Sequence, residues 1–233
     1  MVEEELKTKT ALCCHLMEAV GLINYDGHVS ARIPGTDRIV INARARGRAT
    51  LEAKDMVVID LEGKGEAGAM EPPGETPIHT SIYRQREDVD CVAHLHPHYS
   101  TLLSIAGHAV EPVFFLGTSL GPVPVFAEPG HVYTRAQGQA LAETLGQHRA
   151  VLIRGHGSVV VGGSIEEVFV LAIYMEENCK KQYYASLLGP PRVITSQEVE
   201  RVAPQVWKPS SVAKVWNYYV EKYRAGLLTA PPL

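Results

Sequence analysis

The chain has 233 residues, 45% of them hydrophobic and 21% charged, with a formal net charge of −4. This is the balance of a folded soluble protein, long enough for one substantial core and short for two ordinary domains, so a single domain over residues 1–233 is expected. Scattered Lys and Arg form no basic stripe, which argues against a nucleic-acid partner, and no apolar run reaches bilayer length, which argues against a membrane span.

The amino terminus, Met1 to Leu6, is acidic and lacks the basic start and apolar stretch of a secretory signal, so a cytoplasmic location is expected. Glu4 to Leu22 carries Leu6, Leu12, Leu16, Ala19 and Val20 at helical spacing, with Gly21 near its end. Short extended runs follow at His28 to Ile33, Arg38 to Ile41 and Met56 to Leu61. Gly and Pro turns separate them, the pattern of an antiparallel sheet. Pro77 to Arg86 has helical length with a Pro near its start and leads into a strand from Asp90 to Leu95.

His98 to Ala106 reads as helix, and Pro112 to Pro129, rich in Gly and Pro, as a loop with short extended pieces of the kind that lines a site. Thr134 to Leu145 reads as helix, and Val151 to Arg154 and Val159 to Val161 as strands. Ser164-Ile165-Glu166-Glu167 fits a capping box opening a helix that Gly189-Pro190-Pro191 stops after Leu188. Val212, Val215, Trp216, Tyr219, Val220 and Tyr223 form an aromatic helical face that packs on its own domain or on a neighbouring subunit, before a Pro-rich end at Pro231-Pro232. Cys13, Cys14, Cys91 and Cys179 lack Cys-x-x-Cys spacing and read as buried thiols.

The chemistry concentrates in histidines. In Val92-Ala93-His94-Leu95-His96-Pro97-His98 the imidazoles alternate, and on an extended strand alternate side chains share one side, so His94 and His96 present two nitrogens to one metal and His98 stands behind them as a supporting group. A third ligand is expected from His156, delivered by the strand before it between Gly155 and Gly157. Upstream, Glu75 sits in the turn Pro72-Pro73-Gly74-Glu75-Thr76-Pro77, as a fourth ligand, as a general acid or base, or as a cap on the following helix. Three His and one Glu make a catalytic site for one divalent ion, and zinc, manganese, iron and cobalt all fit that donor set. Arg44 and Arg46 offer planar, permanently charged donors suited to a carboxylate.

Taken in order, Gly27-His28-Val29-Ser30, Met56-Val57-Val58-Ile59-Asp60, Glu75, His79-Thr80-Ser81-Ile82-Tyr83, His94-Leu95-His96 and Gly155-His156-Gly157 resemble the class II aldolase/adducin family, typified by fuculose-phosphate aldolase. The resemblance covers nearly the whole chain. It implies an α/β fold of three layers, α/β/α, around a mainly antiparallel sheet, and a homotetramer with sites at subunit interfaces. It further implies His94, His96 and His156 as metal ligands and Glu75 as the catalytic glutamate. Family aldolases hold a substrate phosphate with a Gly-Asn-x-Ser turn, a Thr-Gly pair and a Ser-Ser-Glu tripeptide. Here those places read Gly27-His28-Val29-Ser30, Asn42-Ala43-Arg44-Ala45-Arg46-Gly47 and Pro73-Gly74-Glu75, so most of the phosphate cradle is missing.

The Gly-His-Val-Ser turn and the His-Pro-His-Tyr-Ser segment are similar to the branch of metal-dependent decarboxylases of hydroxylated aromatic or pyridine dicarboxylates. That resemblance implies a small carboxylated substrate held by His28, Ser30, Arg44 and Arg46, with carbon dioxide as leaving group. Aldol cleavage of a sugar phosphate or hydroxy-keto acid is the alternative. A non-catalytic adducin-like assembly domain is a further one, although those domains lack the metal ligands.

Overall fold

In the computed structural model, which describes residues 2–228, seven strands among the described residues form one sheet in the order β3-β2-β1-β4-β7-β6-β5. The strands are β1 (His28–Arg32), β2 (Arg38–Asn42), β3 (Met56–Asp60), β4 (Cys91–Leu95), β5 (Val125–Phe126), β6 (Ala150–Ile153) and β7 (Gly157–Gly162). Every neighbouring pair is antiparallel except β5–β6. A parallel pair needs a crossover, and here a helix between the two strands supplies it.

The helices are α1 (Val2–Ala19), α2 (Thr76–Gln85), α3 (His98–Ile105), α4 (Arg135–Leu145), α5 (Ile165–Leu188), α6 (Ser196–Val206) and α7 (Pro209–Arg224). The strands are apolar on both faces, as a sheet covered on both sides requires. On one face Val40, Ala93, Leu95, Leu152 and Val160 pack with Leu16, Phe169, Met175 and Trp216 of α1, α5 and α7. On the other, Ile39, Ile41, Val92, Val151 and Val159 pack with Ile78, Ile82 and Tyr83 of α2 and Leu141 and Leu145 of α4. This is the three-layer α/β/α arrangement, with the mainly antiparallel sheet in the middle.

Element by element the sequence reading holds to within a few residues. The first helix ends at Ala19, where the positive φ of Gly21 (77°) lets the chain turn back and Leu22 N–H reach the Met17 carbonyl. Ser164 caps α5, accepting from Glu167 N–H. The Glu167 carboxylate returns to Gly163 N–H, one residue short of a full capping box. One helix escaped the reading. It is α6, although Thr195 and Glu198 form a complete capping box at its start. The face of α7 packs on its own chain through Val212, Trp216 and Val220, while Pro231-Pro232 lies outside the described residues.

The sheet face under α2 and α4 is where the histidines gather, and these two helices touch closely. A Cβ at Gly138 of α4 would run into the Pro77 carbonyl oxygen, a backbone atom at the start of α2. Helix propensity alone makes Gly138→Ala stabilising by about 1 kcal/mol. The contact predicts the opposite sign, a loss of about 1–3 kcal/mol, read as a lower denaturant midpoint at unchanged slope.

Candidate metal centre

Three imidazoles converge at one end of the β4–β7–β6 ladder. His94 is the fourth residue of β4 and is fully buried, paired with His28 on β1 and Val159 on β7. His96 follows just past the strand end, and His156 occupies the tight β6–β7 turn, whose Gly155 takes a φ of +65°. Gly157 permits the approach, because a Cβ there would collide with the Leu95 carbonyl oxygen and touch the His96 ring. Donor atoms of His94, His96 and His156 all lie within 4.8 Å of one another.

The hydrogen bonds fix which nitrogens face inward. His94 Nδ1–H donates to the Ser158 carbonyl (3.2 Å) and His156 Nδ1–H donates to the Gly130 carbonyl (2.7 Å). A carbonyl only accepts, so in each neutral ring the proton sits on Nδ1 and Nε2 carries a lone pair. Those two Nε2 atoms are 3.3 Å apart. Facing lone pairs at that distance call for a cation between them. Tetrahedral zinc with Zn–N of about 2.0–2.1 Å sets its ligand atoms about 3.3 Å apart, so the donors fit a divalent ion. Ligating histidines that spend the second ring nitrogen on a carbonyl are the usual support of such an ion.

Glu75 completes the cluster. It stands at the N-cap of α2 but makes no capping hydrogen bond with its side chain, which removes the helix-cap role from the three readings of this residue. The carboxylate is 7% exposed, accepts from Val132 N–H at Oε1 (2.8 Å), and turns Oε2 toward His94 (3.4 Å), His156 (3.8 Å) and His28 (3.9 Å). Burial raises its pKa, but the donors against it, His28 first and Val132 N–H among them, outweigh that and hold the carboxyl below the usual range. Burial pushes His28 down to about 4 and His96 to about 3, and also lowers His156, so these rings are neutral near pH 7, the form a metal binds.

The remaining expected residues are distributed differently. His28 and Ser30, expected against a substrate, are 4% and 0% exposed and face α2: His28 Nδ1 lies 2.7 Å from His79 Nε2, and Ser30 Oγ lies 2.6 Å from His79 Nδ1 and 2.9 Å from Tyr83 Oη. His98 does not continue the strand alternation, because β4 ends at Leu95 and Pro97 caps α3, so His98 opens that helix with its ring exposed and edge-on to Tyr99. Arg44 and Arg46 are both exposed. Arg46 pairs with Asp55 (2.9 Å), and the Arg44 side chain makes no hydrogen bond or ion pair among the described residues.

Three further residues, to which the sequence assigned no role, stand at or behind the cluster. Arg48, 4% exposed, donates through Nε to the Gly27 carbonyl (2.8 Å) and pins the turn that carries His28. His79 sits behind His28. His131, exposed, brings Nδ1 to 3.6 Å from Glu75 Oε1 and stacks on Tyr133 with centroids 4.7 Å apart. A signal for His131 existed in the Gly-His dipeptide, which recurs at 27–28, 107–108, 130–131 and 155–156, three of them at this cluster.

Residues 8–183 match the model of the class II aldolase and adducin N-terminal domain. The chain belongs to the class II aldolase/adducin family. It is 33% identical over 181 residues to a 3,4-dihydroxyphthalate decarboxylase of Arthrobacter keyseri, covering 71% of this chain and 73% of the relative. To the enzyme of the same name from Terrabacter sp. it is 29% identical over 225 residues, covering 90% and 93%. Among solved structures, L-fuculose 1-phosphate aldolase from Glaciozyma antarctica shares the family fold with a TM-score of 0.84 at 19% identity, over 98% of this chain and 93% of that one.

The titration of His96 gives a test without metal. Its pKa falls from 6.5 to about 3 on folding, so the unfolded chain takes up this proton first as pH drops. Stability is then intact above about 6.5 and is lost toward about 3, with a slope below the limit of about 1.4 kcal/mol per pH unit for one proton. Chelator-treated His96→Gln protein is expected to lose stability less steeply than wild type over that window in denaturant titrations. Equal slopes would contradict the assignment.

Proposed function

We propose that this chain is a divalent-metal-dependent carbon–carbon lyase that decarboxylates a small hydroxylated aromatic dicarboxylate. The observation that carries the reading is the pair of inward Nε2 lone pairs of His94 and His156, joined by His96 and the ionised Glu75. Similarity to two proteins named 3,4-dihydroxyphthalate decarboxylase supports the substrate class. The ion, when bound, would polarise a ring hydroxyl and neighbouring carboxylate and accept the negative charge that develops there.

In this reading His94, His96 and His156 are the ligands, three neutral donors that leave the ion most of its charge. Glu75, with Oε1 anchored by Val132 N–H and Oε2 turned to the centre, takes the proton of the substrate hydroxyl. Glu75 then delivers that proton to the ring carbon that bears the departing carboxylate, which makes this carbon tetrahedral and turns the oxygen into a ketone. As the carbon–carbon bond breaks and carbon dioxide leaves, its electron pair flows through the ring to that oxygen and restores the aromatic system, and solvent restores the hydroxyl. Arg44 is kept as the candidate partner for a substrate carboxylate, since Arg46 is engaged by Asp55. Assembly into a homotetramer belongs to the same reading, with four copies of the 25.5 kDa chain expected by light scattering.

Aldol cleavage of a sugar phosphate is the second reading, favoured by the shared fold. Against it stand Pro73 and Gly74 where the family carries phosphate-binding serines, and an Asn42 whose side chain is buried and accepts from Val29 N–H (3.0 Å). Metal-loaded protein given a panel of hydroxylated aromatic dicarboxylates and sugar phosphates is expected to release carbon dioxide from the former. Aldehyde from a sugar phosphate without carbon dioxide would move the chain to the aldolases. His94→Ala and His156→Ala are expected to lose bound metal and activity together while staying folded by circular dichroism. Retention of full activity by either variant would remove it from the ligand set.

A further inference from the structure

Behind Glu75 lies a line of polar groups that the proposed reaction leaves without a task. His28 on β1 meets His79 on α2 at 2.7 Å, His79 meets Ser30 on β1 at 2.6 Å, and Ser30 meets the Tyr83 hydroxyl at 2.9 Å. None of the four is more than 4% exposed. His28 Nε2, at the other end, faces Glu75 Oε2 at 3.9 Å.

We propose that Tyr83, Ser30, His79 and His28 form a one-way chain of hydrogen-bond donors that ends on the Glu75 carboxylate, with Tyr83, Ser30 and His79 as positioning residues for it. The inference rests on the reading of Glu75 as the proton-transfer group. Each short contact holds one proton, given by one partner and accepted by the other, so a continuous chain can run in only two directions. Forward, Tyr83 O–H donates to Ser30, Ser30 O–H to His79 Nδ1, His79 Nε2–H to His28 Nδ1, and His28 Nε2–H points to a carboxylate that only accepts. In reverse, a His28 lone pair would face that carboxylate, and the Tyr83 hydroxyl proton would have no recorded acceptor among the described residues. The forward direction gives each of the three short contacts one donor and one acceptor and aims His28 Nε2–H at Glu75 Oε2, 3.9 Å away, whereas the reverse leaves the Tyr83 donor unpaired.

The consequence is that Glu75 is anchored at Oε1 by Val132 N–H and drawn at Oε2 toward the His28 N–H, 3.9 Å away. A carboxylate so held keeps one orientation toward the centre, and proton transfer depends on that orientation.

Neutron diffraction from deuterated crystals of the intact protein reads the direction itself. Deuterium is expected on His28 Nε2 and on His79 Nε2, with the Ser30 deuterium aimed at His79. Deuterium on His28 Nδ1 would overturn the proposal and make His28 a lone-pair donor toward the centre. Kinetics supply the second arm. His79→Gln keeps a donor and an acceptor in line, whereas His79→Leu and Ser30→Ala break the chain. The broken variants are expected to lose about 10- to 100-fold in kcat with KM unchanged, and His79→Gln to recover most of it. Wild-type kcat in Ser30→Ala, which removes a single oxygen, would also overturn the proposal. Failure of the lyase reading would appear instead as wild-type protein inert on every substrate, with the neutron map unaffected.

Discussion

Two imidazole lone pairs held 3.3 Å apart are the constraint on which the rest of this site depends. His94 and His156 each commit Nδ1–H to a backbone carbonyl, of Ser158 and of Gly130, so neither ring can turn its proton inward to relieve the repulsion. The backbone thus fixes two tautomers and creates a demand for positive charge. Burial reinforces it by keeping the neighbouring His28 and His96 neutral, and Glu75 supplies a nearby carboxylate with several imidazoles against it. A site arranged in this way is organised before any ion arrives, which is what a metal used for electrostatic stabilisation requires.

The sheet provides the precision. Antiparallel pairing of β4 with β1 and β7 sets His94 opposite His28 and Val159, and the tight β6–β7 turn swings His156 back over the end of β4. Gly157 lets the turn approach the Leu95 carbonyl, and Gly138 lets α4 settle on the start of α2, next to Glu75. The loop that joins β5 to α4 contributes the Val132 amide and the Gly130 carbonyl, so a Gly- and Pro-rich segment supplies the fixing contacts for both Glu75 and His156. Helices α1, α5 and α7 cover the far face of the sheet, and α2 and α4 cover the face on which His28, Glu75 and His94 gather.

Much of this was legible in the sequence for physical reasons. Period-2 alternation pointed to His94 and His96, and β-branched runs bounded by Gly and Pro marked the strands within a residue or two. Alternation does not reach His98, because Pro97 ends the extended backbone and starts a helix, where a period of two no longer applies. Ser30 and His28 were expected against a substrate and are found buried beneath α2, since strand alternation gives a side and not what covers it. His79 and Tyr83 illustrate the same limit: spacing put them on a helix, and only the packing of α2 on β1 brings them into line with Ser30. Arg46 shows how charge misleads, because a guanidinium free in sequence is met by Asp55 in space.

If one divalent cation binds between His94, His96 and His156, anomalous diffraction from crystals carrying one equivalent of zinc will locate it. A single strong peak is expected there, contacting the inward-facing nitrogen of each of the three rings at about 2.0–2.1 Å. A peak elsewhere on the chain, or none at this cluster with zinc in excess, would contradict this ligand set.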